Sequence, residues 1–210
     1  GTSSAIQAMH TFITATQDRR DLLLSQRTPK YDTTLQLSRH YDDVLDPILL
    51  RAKQARDYFL LVGPPGTGKT SRALRFIVEE ELADETASVL LMSYTNRAVD
   101  EICSMLNEAG ISFMRIGNEW SCDARFRQNL ISHITDNGAR LDTIASKIRS
   151  VRVVVGTTST LMARPFLFAI KSFSLAIIDE AGQITEPNIA GLLATHDTSA
   201  DAKPLISRFI

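Results

Sequence analysis

The sequence predicts an α/β fold in which a parallel sheet is doubly wound, with helices on both faces. Three observations predict it. Short runs that are apolar throughout recur along the chain, each followed by a stretch of helical character; strands covered on both faces read this way, without polar alternation. A glycine-rich segment, Gly63-Pro64-Pro65-Gly66-Thr67-Gly68-Lys69-Thr70, stands between one such run and a helical stretch. An acidic pair, Asp179-Glu180, closes another.

Taken in order, a helical segment spans about Ser4 to Gln26 and breaks at Arg27-Thr28-Pro29-Lys30. A second runs from about Asp43 to Ala55 and leads into an apolar strand, Tyr58-Phe59-Leu60-Leu61-Val62. After the glycine-rich loop a helix is expected over Ser71–Glu81, then strands and helices alternate. Ser88–Ser93 reads as a buried strand, Ala98–Glu108 as a helix, Ser112–Ile116 as a short strand and Val151–Val155 as a strong one. Ser174–Ile178 is a further strand, Asn188–Ala194 a helix, and an apolar run opens at Phe209. The stretch Glu119–Ser150 departs from this rhythm and reads as loop plus inserted helices, with Trp120 expected as a packing anchor in preference to a base-stacking platform.

Composition excludes some classes. With 44% apolar and 22% charged residues the chain is an ordinary globular sequence. No apolar stretch nears the roughly 18 residues that a membrane helix needs. Cys103 and Cys122 are too few for a zinc site and read as free thiols of a reducing compartment. A net charge of −1 offers no basic surplus for nucleic acid. The clusters Arg125/Arg127 and Arg140/Lys147/Arg149/Arg152 fit solvated helix faces.

Gly63–Thr70 matches G-x-x-x-x-G-K-[ST], the phosphate-binding P-loop. Its glycines let successive backbone N–H groups turn toward phosphate oxygens, and the following helix adds its positive end. Lys69 would reach the β- and γ-phosphates of ATP, and the Thr70 hydroxyl would hold Mg²⁺. A partner carboxylate is needed at the end of a neighbouring strand. Asp179 would bind Mg²⁺ through its water shell, and Glu180 would polarise the attacking water.

Three further stretches narrow the class. Asp179-Glu180-Ala181-Gly182-Gln183 resembles the D-E-A-x-Q motif II of superfamily 1B helicases. Ser93-Tyr94-Thr95-Asn96-Arg97-Ala98-Val99-Asp100 resembles their motif Ia, and Val155-Gly156-Thr157-Thr158-Ser159-Thr160 their motif Ic. The resemblance covers about Asp57 to Leu193. It implies a RecA-like P-loop NTPase domain, residues 57–210, behind a helical lead-in, residues 1–56. It also implies that Thr95, Asn96, Thr157, Thr158 and Ser159 touch the backbone of single-stranded DNA or RNA. Hydroxyls, an amide and backbone N–H groups suit such contacts, which position a strand without reading its sequence; helix capping is the competing use of these threonines. Gln183 would sense the γ-phosphate and link hydrolysis to strand movement, 5′→3′ in the parent helicase. The family's adenine-contacting glutamine falls near Asp46; the nearest glutamines are Gln36 and Gln54, and Tyr41 and Tyr58 are the stacking candidates.

Gly1 in place of methionine, and an apolar run cut short at Ile210, lead to the expectation of a fragment. It would end before motif III, lack the second RecA-like domain and its arginine fingers, and by itself hardly hydrolyse ATP. A monomer in the cytoplasm, or the nucleus of a eukaryote, without membrane attachment is expected. Two other classes compete: an AAA+ ATPase that remodels proteins, which places its acids closer to the P-loop, and a nucleotide-gated binding module without catalysis.

Overall fold

The computed structural model describes residues 2–59, 61, 69–130, 140–179, 193–194, 196, 204 and 206–210; for residues 2–5, 69, 70 and 119 it describes the backbone alone. Five strands form one sheet among these residues: β1 (Val89–Ser93), β2 (Met114–Arg115), β3 (Val153–Thr157), β4 (Phe173–Ile178) and β5 (Ile206–Phe209). Their order is β2-β3-β1-β4-β5, and every neighbouring pair is parallel. Parallel neighbours need crossovers. These include α5 (Asn96–Glu108) after β1, α6 (Leu141–Ser150) before β3, and α7 (Thr158–Met162) with α8 (Phe166–Ile170) between β3 and β4.

Ahead of β1 lie α1 (Thr2–Thr14), α2 (Gln17–Leu23), α3 (Asp46–Gln54) and α4 (Lys69–Leu82). The expected strand at Tyr58 starts as a parallel neighbour of β5. Phe59 N donates to Phe209 O at 3.2 Å, and Phe209 N to Asp57 O at 3.0 Å. Leu60 and Val62 lie outside the described residues.

Side-chain alternation along the strands divides the core in two. Val89, Leu91, Val153, Val155, Leu175 and Ile177 face Leu49, Ile77, Val99 and Leu106 from α3, α4 and α5. Leu90, Met92, Val154 and Ala176 face Ile148, Leu161 and Leu167 from α6, α7 and α8. Each fully buried aliphatic side chain contributes about 2 kcal/mol relative to exposure. The two-sided sheet is why β1 and β3 are apolar at successive positions.

Four expectations about elements need correction. The first helical segment is two helices: extended backbone at Thr16 ends it, and the Thr16 hydroxyl accepts from Arg19 N at 3.2 Å as the cap of α2. The strand expected at Val151–Val155 is β3, two residues later. Val151 N still closes α6 on Lys147 O, and Arg152 turns aside to donate to the carbonyls of Leu82 and Ala87. The last strand begins at Ile206 rather than Phe209. Arg208 hides it in the sequence, yet its buried guanidinium donates to Ala52 O at 3.0 Å and pairs with Glu81. Trp120 is no packing anchor, being 93% exposed in a 3-10 turn, Glu119–Ser121. Of the helix expected at 188–194, Leu193 and Ala194 alone are described, both buried.

The lead-in is tied to the sheet and to α4. Arg19 on α2 donates to Ile206 O and Ser207 O at 2.9 and 3.1 Å, and Arg27 grips both carboxylate oxygens of buried Asp57 at 2.8 and 2.9 Å. Glu80 on α4 accepts from Ser38 N (2.8 Å), Ser38 Oγ (2.7 Å), Tyr41 OH (2.6 Å) and Lys53 Nζ (2.6 Å).

Candidate nucleotide and nucleic-acid site

The carboxyl ends of the central strands stand level. Ser93 is in register with Thr157, and Met92 with both Gly156 and Ile178. Asp179, the residue after β4, donates from its N to Met92 O at 2.9 Å, while Ser93 Oγ donates to Asp179 O at 3.3 Å. Asp179 is therefore fixed by its backbone at the end of β1, with its side chain half-buried. Ligands of open parallel sheets bind at this edge, outside the carboxyl ends. β5 separates β4 from the segment at Asp57–Phe59, so the strand that leads to the P-loop stands two spacings from β4, about 10 Å. Gly63, Pro64, Pro65, Gly66, Thr67 and Gly68 lie outside the described residues, as do Glu180 and Gln183. Lys69 and Thr70 open α4, as a P-loop requires of the residues that follow it.

The residues expected on nucleic acid divide. Thr95 and Asn96 emerge where β1 becomes α5. Thr95 is extended (φ −115°, ψ 151°) and its hydroxyl oxygen accepts from Ala98 N at 3.1 Å, capping α5. Tyr94, Thr95, Asn96 and Arg97 are all exposed, so Thr95 caps its helix and still presents its hydroxyl to solvent. Ser159 is exposed as well.

Thr157 and Thr158 are not: they retain 4% and 5% of their surface. The expectation that their hydroxyls face a strand is corrected. Thr157 Oγ1 accepts from Thr160 N at 3.1 Å and donates to Thr160 Oγ1 at 2.8 Å, so it is the cap of α7. Gly156 before it is closely covered. A Cβ there would meet Ile116 O at 3.3 Å and Leu161 Cγ at 3.4 Å.

The adenine candidates are engaged elsewhere. Tyr41 packs against Phe76 with ring centroids 5.2 Å apart, and the Arg39 guanidinium lies 4.2 Å over its ring. Tyr58 stacks on Phe209 at 5.7 Å. Asp46, at the place of the family's glutamine, accepts from Tyr41 N and Asp42 N at 3.0 Å each and meets His40 Nδ1 at 2.6 Å. Gln54 Nε2 donates to Leu35 O at 3.1 Å, and Gln36 O accepts from Lys53 Nζ. These groups organise residues 35–54 around α3.

Sequence reasoning gave no part to Arg115, the largest of the fully buried side chains. It pairs with Asp100 of motif Ia, approaches Cys103 Sγ at 3.7 Å and donates to Ser121 O at 3.2 Å. Burial pushes the Cys103 thiol up to about 12, with Arg115 opposing. Arg115 interrupts an apolar run, and its partner Asp100 stands 15 residues away, beyond nearer acids such as Glu119, so the fold rather than the sequence spacing selects it. Among the described residues no group of three or more His, Cys, Asp or Glu side chains assembles as a metal cluster.

An all-parallel sheet with helices on both faces, a P-loop sequence opening α4 and an acidic pair closing β4 define the RecA-like class of P-loop domains. A family profile described as "AAA domain" (AAA_11) matches residues 41–152. The chain is 37% identical over 145 residues to the DNA replication ATP-dependent helicase/nuclease JHS1 of Arabidopsis thaliana, covering 69% of this chain and 10% of that protein. It is 33% identical over 191 residues to the DNA replication ATP-dependent helicase/nuclease DNA2 of Saccharomyces cerevisiae, covering 83% of this chain and 12% of that protein. The chain thus spans about a tenth of the length of these two relatives. The UvsW helicase of bacteriophage T4 shares the fold, with a TM-score of 0.53 at 12% identity over 93% of this chain and 60% of that one. The chain belongs to the AAA_11 family and is an N-terminal RecA-like domain of the superfamily 1B helicase type. Nothing in these likenesses supports a protein-remodelling AAA+ ATPase or a non-catalytic module.

Proposed function

We propose that residues 57–210 form the first motor domain of a 5′→3′ helicase, with residues 1–56 as its helical lead-in. In this reading Gly63–Gly68 and Lys69 cradle the phosphates of ATP, and the protein couples ATP hydrolysis to movement along single-stranded DNA or RNA. One observation carries it: the ends of β1, β3 and β4 are level, and motifs Ia, Ic and II leave the sheet there side by side. A nucleotide on the β4 side and a strand over β1 and β3 would then share one rigid edge.

Asp179 and Thr70 supply a carboxylate and a hydroxyl, the hard oxygen donors that Mg²⁺ takes. Bound there, the metal would neutralise charge on the transferred phosphoryl group. The roughly 10 Å between the P-loop strand and β4 leaves room for a phosphate chain between Lys69 and Asp179. Glu180, next after Asp179 in sequence, would orient and deprotonate the attacking water. Gln183 would report the γ-phosphate to the strand side. On that side Thr95 and Asn96 offer exposed donors to phosphate oxygens. Exposed Ser159 is held in place by its hydroxyl, 3.2 Å from Thr157 Oγ1, leaving its oxygen and backbone to meet a strand.

A second RecA-like domain would complete the charge stabilisation of the transition state, a contribution worth several orders of magnitude in rate. A monomeric motor without membrane attachment is consistent with this; no helix among the described residues is long and apolar enough to cross a membrane. The test is ATP hydrolysis by the full-length protein, with and without single-stranded oligonucleotide. Stimulation that disappears in Lys69→Ala supports the reading. An absence of stimulation by either DNA or RNA refutes it.

A further inference from the structure

The turn after β2 has no part in this reading, yet it carries the only tryptophan of the sequence. An indole 93% exposed contributes nothing to the core, and tryptophan is on average a highly buried residue. The backbone beneath it is held firmly. Asn118 Oδ1 accepts from both Ser121 N and Ser121 Oγ at 3.0 Å, capping the turn. Buried Arg115 donates to Ser121 O at 3.2 Å and pairs with Asp100, which accepts from Asp123 N at 3.2 Å. Asp100 lies one helical turn beyond Asn96 on α5. The helix that presents Thr95 and Asn96 at its start therefore also anchors the turn that presents Trp120.

Topology places that turn on the same edge. β2 neighbours β3 with Arg115 opposite Val155, and Ile116 N donates to Val155 O at 2.8 Å as the chain leaves β2 at its carboxyl end. Trp120 follows four residues later. Along the edge the order is Trp120 after β2, Ser159 after β3, then Tyr94, Thr95 and Asn96 after β1. β2 and β1 are two spacings apart, about 10 Å. Tyr94, 52% exposed, stands at the other end of this line. Aromatic faces thus flank a row of hydroxyl and amide groups.

We propose that Trp120 is a base-stacking contact for single-stranded nucleic acid running along this edge, which extends the strand track past motif Ic to β2. The inference rests on the motor-domain reading. Stacking is the chemistry that a chain of net charge −1 needs. It lacks the basic surplus for affinity through counterion release, and stacking on an indole tolerates any sequence because every base has a π face. Nearby Arg125 adds little free charge, being paired with Asp123 at 3.2 Å and lying 4.9 Å over the Phe126 ring.

The test is a titration of the protein with single-stranded oligothymidylate and oligoriboadenylate, following tryptophan emission and the anisotropy of a labelled strand. Quenching is expected on binding, with affinity falling about tenfold in Trp120→Ala and largely kept in Trp120→Phe. The slope of log affinity against log salt should stay the same, since no phosphate contact is lost. Both variants should melt with the wild type, because the indole is 93% exposed. Undiminished binding by Trp120→Ala overturns the stacking role and points to a protein partner for this turn, leaving the motor-domain reading intact. Failure of the wild-type protein to bind either strand refutes the motor-domain reading itself.

Discussion

Glu80 is the joint between the lead-in and the P-loop helix, and its replacement by glutamine should loosen that joint in a pH-dependent way. Burial by itself would raise this carboxyl, but the Lys53 ammonium, the Ser38 hydroxyl and amide and the Tyr41 hydroxyl all bond its charged form and hold it at about 2 instead of 4.5. A group depressed on folding contributes stability that is complete above its unfolded value and is lost as pH falls toward its folded value. At about 1.4 kcal/mol per decade, the displacement from 4.5 to about 2 corresponds to about 3 kcal/mol at neutral pH. About 2 kcal/mol of this is gone by pH 3. Urea unfolding of wild type and Glu80→Gln should therefore differ by about 3 kcal/mol at pH 7 and by about 1 kcal/mol at pH 3. A difference that stays constant over this range would refute the reasoning, because it would mean that the loss comes from shape rather than from the charge.

Three other outcomes follow from the site's geometry. Gly156→Ala places a methyl group against Ile116 O and Leu161 and should cost about 1–3 kcal/mol; an unchanged melting temperature would contradict the close approach. Thr157→Val removes the cap of α7 and should cost about 1 kcal/mol in urea unfolding, while Thr157→Ser keeps the acceptor and should stay within a few tenths of wild type. Equal losses in the two variants would remove the capping assignment. Cys103, its thiol pushed up to about 12 by burial, should resist a disulfide reagent at pH 8 in the native protein and react once unfolded. Rapid native labelling at Cys103, read by mass spectrometry, would show that the thiol is accessible.

The sheet was legible because its strands are apolar on both faces. The apolar runs that became Val89–Ser93 and Val153–Thr157 read as interior parallel strands, the second displaced by two residues. Where a charge enters a strand, legibility failed: Arg208 and Arg115 sit inside β5 and β2 with partners 127 and 15 residues away in sequence. The five-residue helices α7 and α8 are too short for a 3.6-residue period to declare itself. Motif residues could be placed at strand ends from the sequence, but which hydroxyls face outward could not. Thr95 and Thr157 have the same capping chemistry, and burial alone separates them. Trp120 was misjudged for the opposite reason. A large aromatic is ordinarily core, and only the fold reveals an indole raised on a pinned surface turn.

Coupling of a nucleotide to a single strand along the edge formed by β1, β3 and β4 is the core of the proposed function. Its most direct test is the steady-state rate of ATP hydrolysis by the full-length protein, titrated with single-stranded oligonucleotide. The rate should rise with the strand, saturate, and be abolished in Lys69→Ala. Hydrolysis that is indifferent to both DNA and RNA, or that survives loss of Lys69, would contradict it.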